Sequence, residues 1–350
     1  MPRQALRRPC SALRALCAPA AALAAVLMVG GCATPPVAVV EPVARVEPGP
    51  VVAQDDEIAI VVAAAGDDAE TLAQRYLGDA RKGWWIAESN GDGGIRPGQV
   101  VVIPRKAANR IGVHPDGYQT IPILCYHRFG TKASKLTVTP AAFAAQMSYL
   151  AKNGYHVLPL ARLDDFLSGR EPLPRKSVII TIDDGYRSTF EVAYPVLRQH
   201  RFPATVFLYS DFVGAGDALN WAQMKEMTAS GLVDVQPHSK THANLTLRLA
   251  DESEARYRER VRREVDAPIG LIKDRLGIAS VTFAYPYGDV NDVIVDFLAK
   301  QGARLGATVT SGGNGFFAYP YMLRRNMVFG NEDLDAFKSK LNVFVRTAGR

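Results

Sequence analysis

From residue 118 onward the chain alternates short apolar runs with stretches whose apolar residues recur every three or four positions. The runs IPILCY (121–126), HVLPL (156–160), SVIITI (177–182), ATVFLY (204–209), VDVQ (233–236), VTFAYP (281–286) and ARLGATV (303–309) read as strands. The segments between them, 141–153, 161–168, 189–200, 221–230, 251–276 and 293–301, read as helices, with an expected kink at Pro268 and a last helix over 332–341. Repeated strand-helix units predict an α/β fold whose parallel strands close, or nearly close, into a distorted (β/α) barrel spanning 118–345. In such a barrel the reactive groups belong at the carboxyl ends of the strands.

Upstream the pattern changes scale. IAIVVA, a polar turn at Gly66-Asp67-Asp68, a helix over 70–76, a second over 84–89, then IRPGQVVVIP predict a small α+β unit of βααβ order over 58–105. Of Trp84 and Trp85, one is expected to fill its core. Residues 32–57 carry Pro35, Pro36, Pro42, Pro48 and Pro50 and predict an extended linker, on the order of 75 Å at full reach. Residues 1–31 have Arg3, Arg7, Arg8 and Arg14, no acidic residue, and an apolar stretch from Cys17 to Val29. That is the form of a secretory signal, too short to span a bilayer.

The leader also corrects the charge. Four of the positive charges behind the net +6 lie in it, so the remainder is near neutral and gives no electrostatic case for nucleic acid. Of the four cysteines, Cys10 and Cys17 fall in the leader and Cys32 at its end. Cys125 is left alone, so no internal disulfide is expected and stability must come from the core.

Two clusters sit where barrel chemistry belongs. SVIITI ends in Asp183-Asp184-Gly185, and VDVQ is followed, after Pro237, by His238-Ser239-Lys240-Thr241-His242. Two carboxylates at a strand end point in different directions, so one can hold a metal while the other takes a proton. Histidines four apart share one face if their segment is helical. One carboxylate and two imidazoles leave coordination positions open, as catalytic metal sites do. Zinc is the default ion, cobalt, nickel or manganese would fit, and the set also matches the facial triad of non-haem iron enzymes.

Three resemblances follow from these motifs. Val29-Gly30-Gly31-Cys32 resembles a bacterial lipobox, which implies cleavage before Cys32, lipidation of its thiol and, with Ala33 next, placement on the periplasmic face of the outer membrane. ETLAQRYLGD, WWIAESNG and IRPGQVVVIP resemble a LysM domain, which implies binding of GlcNAc-containing glycan; the opening has Asp68 where that family has Thr. TIDDG (181–185), HSKTH (238–242) and FAYPYG (283–288), with NW at 220–221, resemble the NodB-homology polysaccharide deacetylases of carbohydrate esterase family 4. That resemblance implies that Asp184, His238 and His242 bind the metal, Asp183 is the general base, and the Tyr287 amide helps form the oxyanion hole.

The chain departs from the pattern twice. Ala284 stands where many members have an arginine that orients the base, and Arg325 in LRRNMV is the candidate substitute. No histidine follows His242, so the late Leu-x-His motif that supplies the general acid is absent. His156 and His200 precede their strands and His114 precedes the barrel. His127 follows IPILCY at a carboxyl strand end, and CYHRF resembles the first-strand signature of poly-N-acetylglucosamine deacetylases.

The expected function is metal-dependent N-deacetylation of a GlcNAc-containing polysaccharide, peptidoglycan first. Exported poly-N-acetylglucosamine or chitin oligomers are the alternative substrates, and a catalytically silent wall-binding lipoprotein is the alternative class.

Overall fold

The computed structural model describes residues 48–347 other than Asp92 and Ala108. The leader and Cys32 lie outside the described residues, as does the linker up to residue 47. Among the described residues no helix is long and apolar enough to cross a membrane.

The small unit is a three-stranded antiparallel sheet, β1 (Val51–Gln54), β2 (Ile58–Val62) and β3 (Val100–Pro104), covered by α1 (Ala69–Leu77) and α2 (Gly83–Asn90). β1 is an addition to the sequence reading, which left residues 51–54 in the linker; they pair with β2 instead. The polar turn has two structural tasks. Asp68 caps α1 through a reciprocal pair with Thr71, and Asp67 accepts from Ala64 N (2.8 Å) and pairs with Arg75 (2.7 Å). Ile86, with Leu72, Val101 and Ile103, fills the core, and neither tryptophan does. Trp84 and Trp85 are half-buried and face outward from it.

The barrel is built on β4 (Ile121–Tyr126), β5 (His156–Val157), β6 (Ser177–Ile182), β7 (Ala204–Leu208), β8 (Val233–Pro237), β9 (Thr282–Ala284), β10 (Leu305–Ala307) and β11 (Asn326–Met327). β11, β4, β6, β7 and β8 run parallel in that order, and β5 flanks the start of β6. β9 and β10 form a separate parallel pair, joined to the β11 segment by the Ala307–Leu323 bridge.

The ring is therefore open between β8 and β9. There the Gln236 side chain takes the place of the missing ladder, its Oε1 accepting from Val281 N (3.0 Å) and Thr282 N (3.1 Å). Several predicted elements shorten: HVLPL pairs only at His156–Val157, and ARLGATV only at Leu305–Ala307. The helices after the small unit begin with α3 (Pro140–Lys152) and α4 (Arg162–Leu167), and the long α7 (Glu254–Leu276) runs through Pro268 as one helix. The predicted 189–200 helix opens with a wide π-type turn over Thr189–Ala193 before α5 (Tyr194–His200).

Strand alternation explains why the runs are apolar on both sides. Leu124, Tyr126, Ile180, Ile182, Val206 and Val235 pack outward beneath the helices. Ile121, Ile123, Ile179, Phe207, Ala307 and Leu323 fill the interior. Toward the carboxyl ends the inward positions turn polar: Cys125, Thr181 and Asp183, joined by His238 and Arg325. All of these but Cys125 carry polar or ionisable side chains whose burial demands partners.

Candidate active site

β6 pairs with β4 so that Thr181 faces Cys125 and Ile182 faces Tyr126; Asp183 N then donates to Tyr126 O (2.8 Å), which sets Asp183 beside His127. The chain turns at Asp184 (φ 73°) and Gly185 (φ 80°). A Cβ on Gly185 would stand 3.2 Å from Leu208 Cβ, so both conformation and space favour glycine.

Asp183 is 1% exposed and Arg325 0%. Their side chains form a two-pronged pair, Nη1–Oδ1 2.7 Å and Nη2–Oδ2 2.8 Å, while Arg325 Nε donates to Thr308 O (2.8 Å) and Nη1 also reaches Thr181 Oγ1 (3.2 Å). Its guanidinium carbon lies 5.5 Å from the Phe207 ring centre. Burial alone would raise the Asp183 carboxyl; the Arg325 charge, then His238 and the paired hydrogen bonds, hold it well below the usual carboxylate range. Ala284, where the sequence resemblance leads one to expect an arginine, gives its carbonyl to His238 Nδ1 (2.8 Å).

HSKTH is not helical, which corrects the reason for its spacing though not the convergence. Ser239 (φ 72°) and His242 (φ 61°) are both left-handed, and the resulting loop brings the imidazole centres to 4.8 Å. Glu264 of α7 secures that loop, accepting from Lys240 N (3.0 Å), Thr241 N (2.9 Å) and Thr241 Oγ1 (2.8 Å). His242 N donates to Ser239 Oγ (2.9 Å). Asp184, Ser239, His242 and Tyr287 all have positive φ, so local strain gathers at this one place.

One ligand atom each from Asp184, His238 and His242 lie within 4.8 Å of one another. His238 Nε2 is 3.8 Å and His242 Nε2 3.4 Å from Asp184 Oδ1. Burial lowers both imidazoles, His238 to about 4, so they are neutral near pH 7 and these spacings are not ion pairs. With Nδ1 engaged by Ala284, His238 presents Nε2 as a lone-pair donor, the orientation that metal-bound histidines take. Burial, opposed by His127 and reinforced by Asp183, pushes the Asp184 carboxyl up to about 6. Two neutral imidazoles and a carboxylate lacking a counter-charge make a donor set that suits a divalent cation.

The trio opens into a cavity of about 460 Å³ with Leu136, Val309, Met327 and Phe329 on its walls. His127 lines it, and its Nδ1 is buried with no hydrogen-bond partner. Tyr287 (φ 63°), 60% exposed, sets its ring 5.0 Å from that of His242. His114, His156 and His200 line no part of this cavity. Trp221 lies outside it too: it opens α6 (Trp221–Ala229) and packs on the outer core, with Asn220 as the cap.

Sequence reasoning missed Glu264 and Gln236. Glu264 sits in the charge-dense ERVRREVDAP stretch, where one buried glutamate looks like its exposed neighbours. Its place one helical turn from the apolar Val261 and beside Val265 was the available signal.

Residues 170–306 match the family model for polysaccharide deacetylase. Among curated proteins, the poly-beta-1,6-N-acetyl-D-glucosamine N-deacetylase of Escherichia coli K12 is 28% identical over 246 residues, covering 60% of this chain and 37% of its own length. The chain thus spans little more than a third of that relative. Two solved structures share the fold, each with a TM-score of 0.58. They are a Streptococcus pyogenes deacetylase, PplD, in complex with acetate (25% identity, 64% of this chain, 98% of that one) and IcaB from Ammonifex degensii (27%, 65% and 99%).

Proposed function

We propose that the barrel is a divalent-cation-dependent N-deacetylase that hydrolyses the acetamide of GlcNAc units in a polysaccharide. The observation that carries this reading is the Arg325-locked, ionised Asp183 standing beside the Asp184–His238–His242 donor set in an open cavity.

Asp184, His238 and His242 would hold the cation, zinc by default and cobalt, nickel or manganese as alternatives. A cation held there would supply Lewis acidity, which polarises a carbonyl and lowers the pKa of water from about 15.7 toward about 7. Asp183 accepts the proton of the attacking water. Asp183, kept ionised by its two bonds from Arg325, stands beside that donor set. The Tyr287 amide donates to the oxygen on which charge develops. His127, which lines the cavity, delivers the proton to the leaving amine. Acetate and a free glucosamine amine are the products.

Poly-β-1,6-GlcNAc is the first substrate to test, because the Escherichia coli relative carries that name. Peptidoglycan is a second reading, supported by the β2–α1–α2–β3 unit, whose order resembles LysM and which would keep the enzyme on that polymer. A lipid on Cys32 would fix the protein to the periplasmic face of the outer membrane. The silent-lipoprotein alternative is disfavoured by the full set of Asp183, Asp184, His238, His242 and Arg325.

The test is to incubate the purified protein with each polymer, with and without chelator, and to measure acetate and free amine. Chelator-sensitive release from one polymer supports the reading and names the substrate. No acetate from either, with metal supplied, defeats it.

A further inference from the structure

Leu136 and Phe329 on the wall of the catalytic cavity have a charged neighbour there, Lys135, that the deacetylation chemistry does not use. Its backbone is firmly held. Ser134 N donates to Thr137 O (3.1 Å), Thr137 N to Ser134 O (3.3 Å) and Arg128 N to Leu136 O (3.1 Å). Gly330 N donates to Ser134 O (3.1 Å), and a Cβ on Gly330 would stand 1.7 Å from Thr137 O, so only glycine lets the two segments meet. Residues 134–137 therefore form a tight turn clamped next to Phe329.

The Lys135 ammonium lies 5.7 Å from the Phe329 ring centre. A second ammonium, Lys340 Nζ, lies 5.8 Å from the same ring, but Glu332 neutralises it at 2.8 Å. Lys135 has no carboxylate within ion-pair distance among the described residues. The carboxylates of the cavity are engaged elsewhere: Asp183 is matched by Arg325 (2.7 Å), and Asp184 belongs to the cation donor set. The wall thus presents an unneutralised positive charge to whatever enters.

We infer that Lys135 sets the charge preference of the cavity and turns the enzyme away from stretches of polymer it has already deacetylated. The inference rests on the deacetylase reading. Each turnover breaks the acetyl C–N bond, releases acetate with the oxygen of water and leaves a primary amine on the sugar. Such an amine titrates near the α-amino range of about 7.7–8.0, so it is mostly an ammonium at pH 7. The cavity of about 460 Å³ exceeds one pyranose ring, so its wall meets the next sugar too. A neighbouring unit that carries the ammonium meets Lys135 as a like charge, whereas an acetamide or a hydroxyl at the same carbon does not. Free amines should then accumulate as isolated units instead of runs.

The test compares kcat/KM for acetate release from β-1,6-linked trimers whose central GlcNAc is flanked by GlcNAc, by glucose or by glucosamine. Glucose lacks the acetamide but adds no charge, so the glucose-to-glucosamine ratio isolates the charge. In the wild type at pH 7 it should be about five- to tenfold, the scale of unit charges several Å apart near water, and should shrink with added salt. Lys135→Met should bring it below about twofold, Lys135→Glu should reverse it, and Lys135→Arg should keep it. A purely structural role for Lys135 would move all three substrates together. The same ratio is read without turnover from binding of the trimers to the cation-loaded His127→Ala protein, whose donor trio and Arg325–Asp183 pair are intact. No acetate from any trimer, with the binding ratio as expected, would defeat the deacetylase reading alone. Equal kcat/KM and equal affinity for the glucose- and glucosamine-flanked trimers, or a ratio that Lys135→Met leaves unchanged, would overturn the inference.

Discussion

Arg325 reaches Asp183 through two parallel hydrogen bonds of 2.7 and 2.8 Å although 142 residues separate them in the chain. The residue leading into β11, the strand next to β4, thus delivers the arginine that the Ala284 position lacks.

Breaking that pair should destabilise more than a surface change does. Arg325→Ala leaves a buried carboxylate uncompensated, and losses of about 3–5 kcal/mol are typical. In the wild type the Asp183 carboxyl is depressed, so its contribution is present above an unfolded value near 3.9 and fades as pH falls through the folded value. Without Arg325, burial instead raises the folded value, so stability is lost as pH rises through it. Denaturant melts of Arg325→Ala should therefore show a deficit that grows from pH 4 to pH 8, and Asp183→Asn in the same background should recover part of it. A pH-independent deficit would contradict the pairing.

Metal binding and turnover should separate by residue. Asp184→Asn, His238→Ala and His242→Ala are expected to lower bound metal and acetate release together. His127→Ala should retain the metal and lose about 10²–10⁴ in rate, the usual range for a proton-transfer group. Metal analysis beside acetate release checks this, and parallel losses in His127→Ala would remove its assigned role.

Glu264 acts on the site through His242. Glu264→Ala frees two backbone donors in the HSKTH loop, and supporting residues of this kind typically change metal affinity about 10- to 100-fold. Competitive metal titration measures it; wild-type affinity in a folded variant would show that the loop holds itself.

Gln236→Leu should cost about 1–3 kcal/mol, because Val281 N and Thr282 N lose their acceptor at the gap in the barrel. Urea unfolding reads this directly. An unchanged midpoint would mean that another acceptor satisfies both amides.

The sequence made the strand-helix alternation and both site clusters legible because apolar runs and carboxyl-end polar residues are local signals. Arg325 was legible only as a candidate, since its partner is remote in sequence. The opening between β8 and β9 was not, because a strand of three residues such as β9 has the same local pattern whether its neighbour bonds by backbone or by a glutamine side chain. The convergence of His238 and His242 was anticipated through helical spacing, yet a loop with two left-handed residues achieves it; positive φ at Ser239 and His242 is imposed by Glu264 and the surrounding chain, not by residue type. The tryptophan pair was misjudged because pattern alone cannot tell a core aromatic from one facing a neighbouring unit.

The cation centre is tested most directly by adding cobalt(II) to the metal-stripped protein while following its visible absorption and acetate release from poly-β-1,6-GlcNAc. The account predicts one cobalt per chain, activity rising in proportion, and loss of both in His242→Ala. Full activity in the stripped protein, or a cobalt spectrum and activity that survive replacement of both His238 and His242, would contradict it.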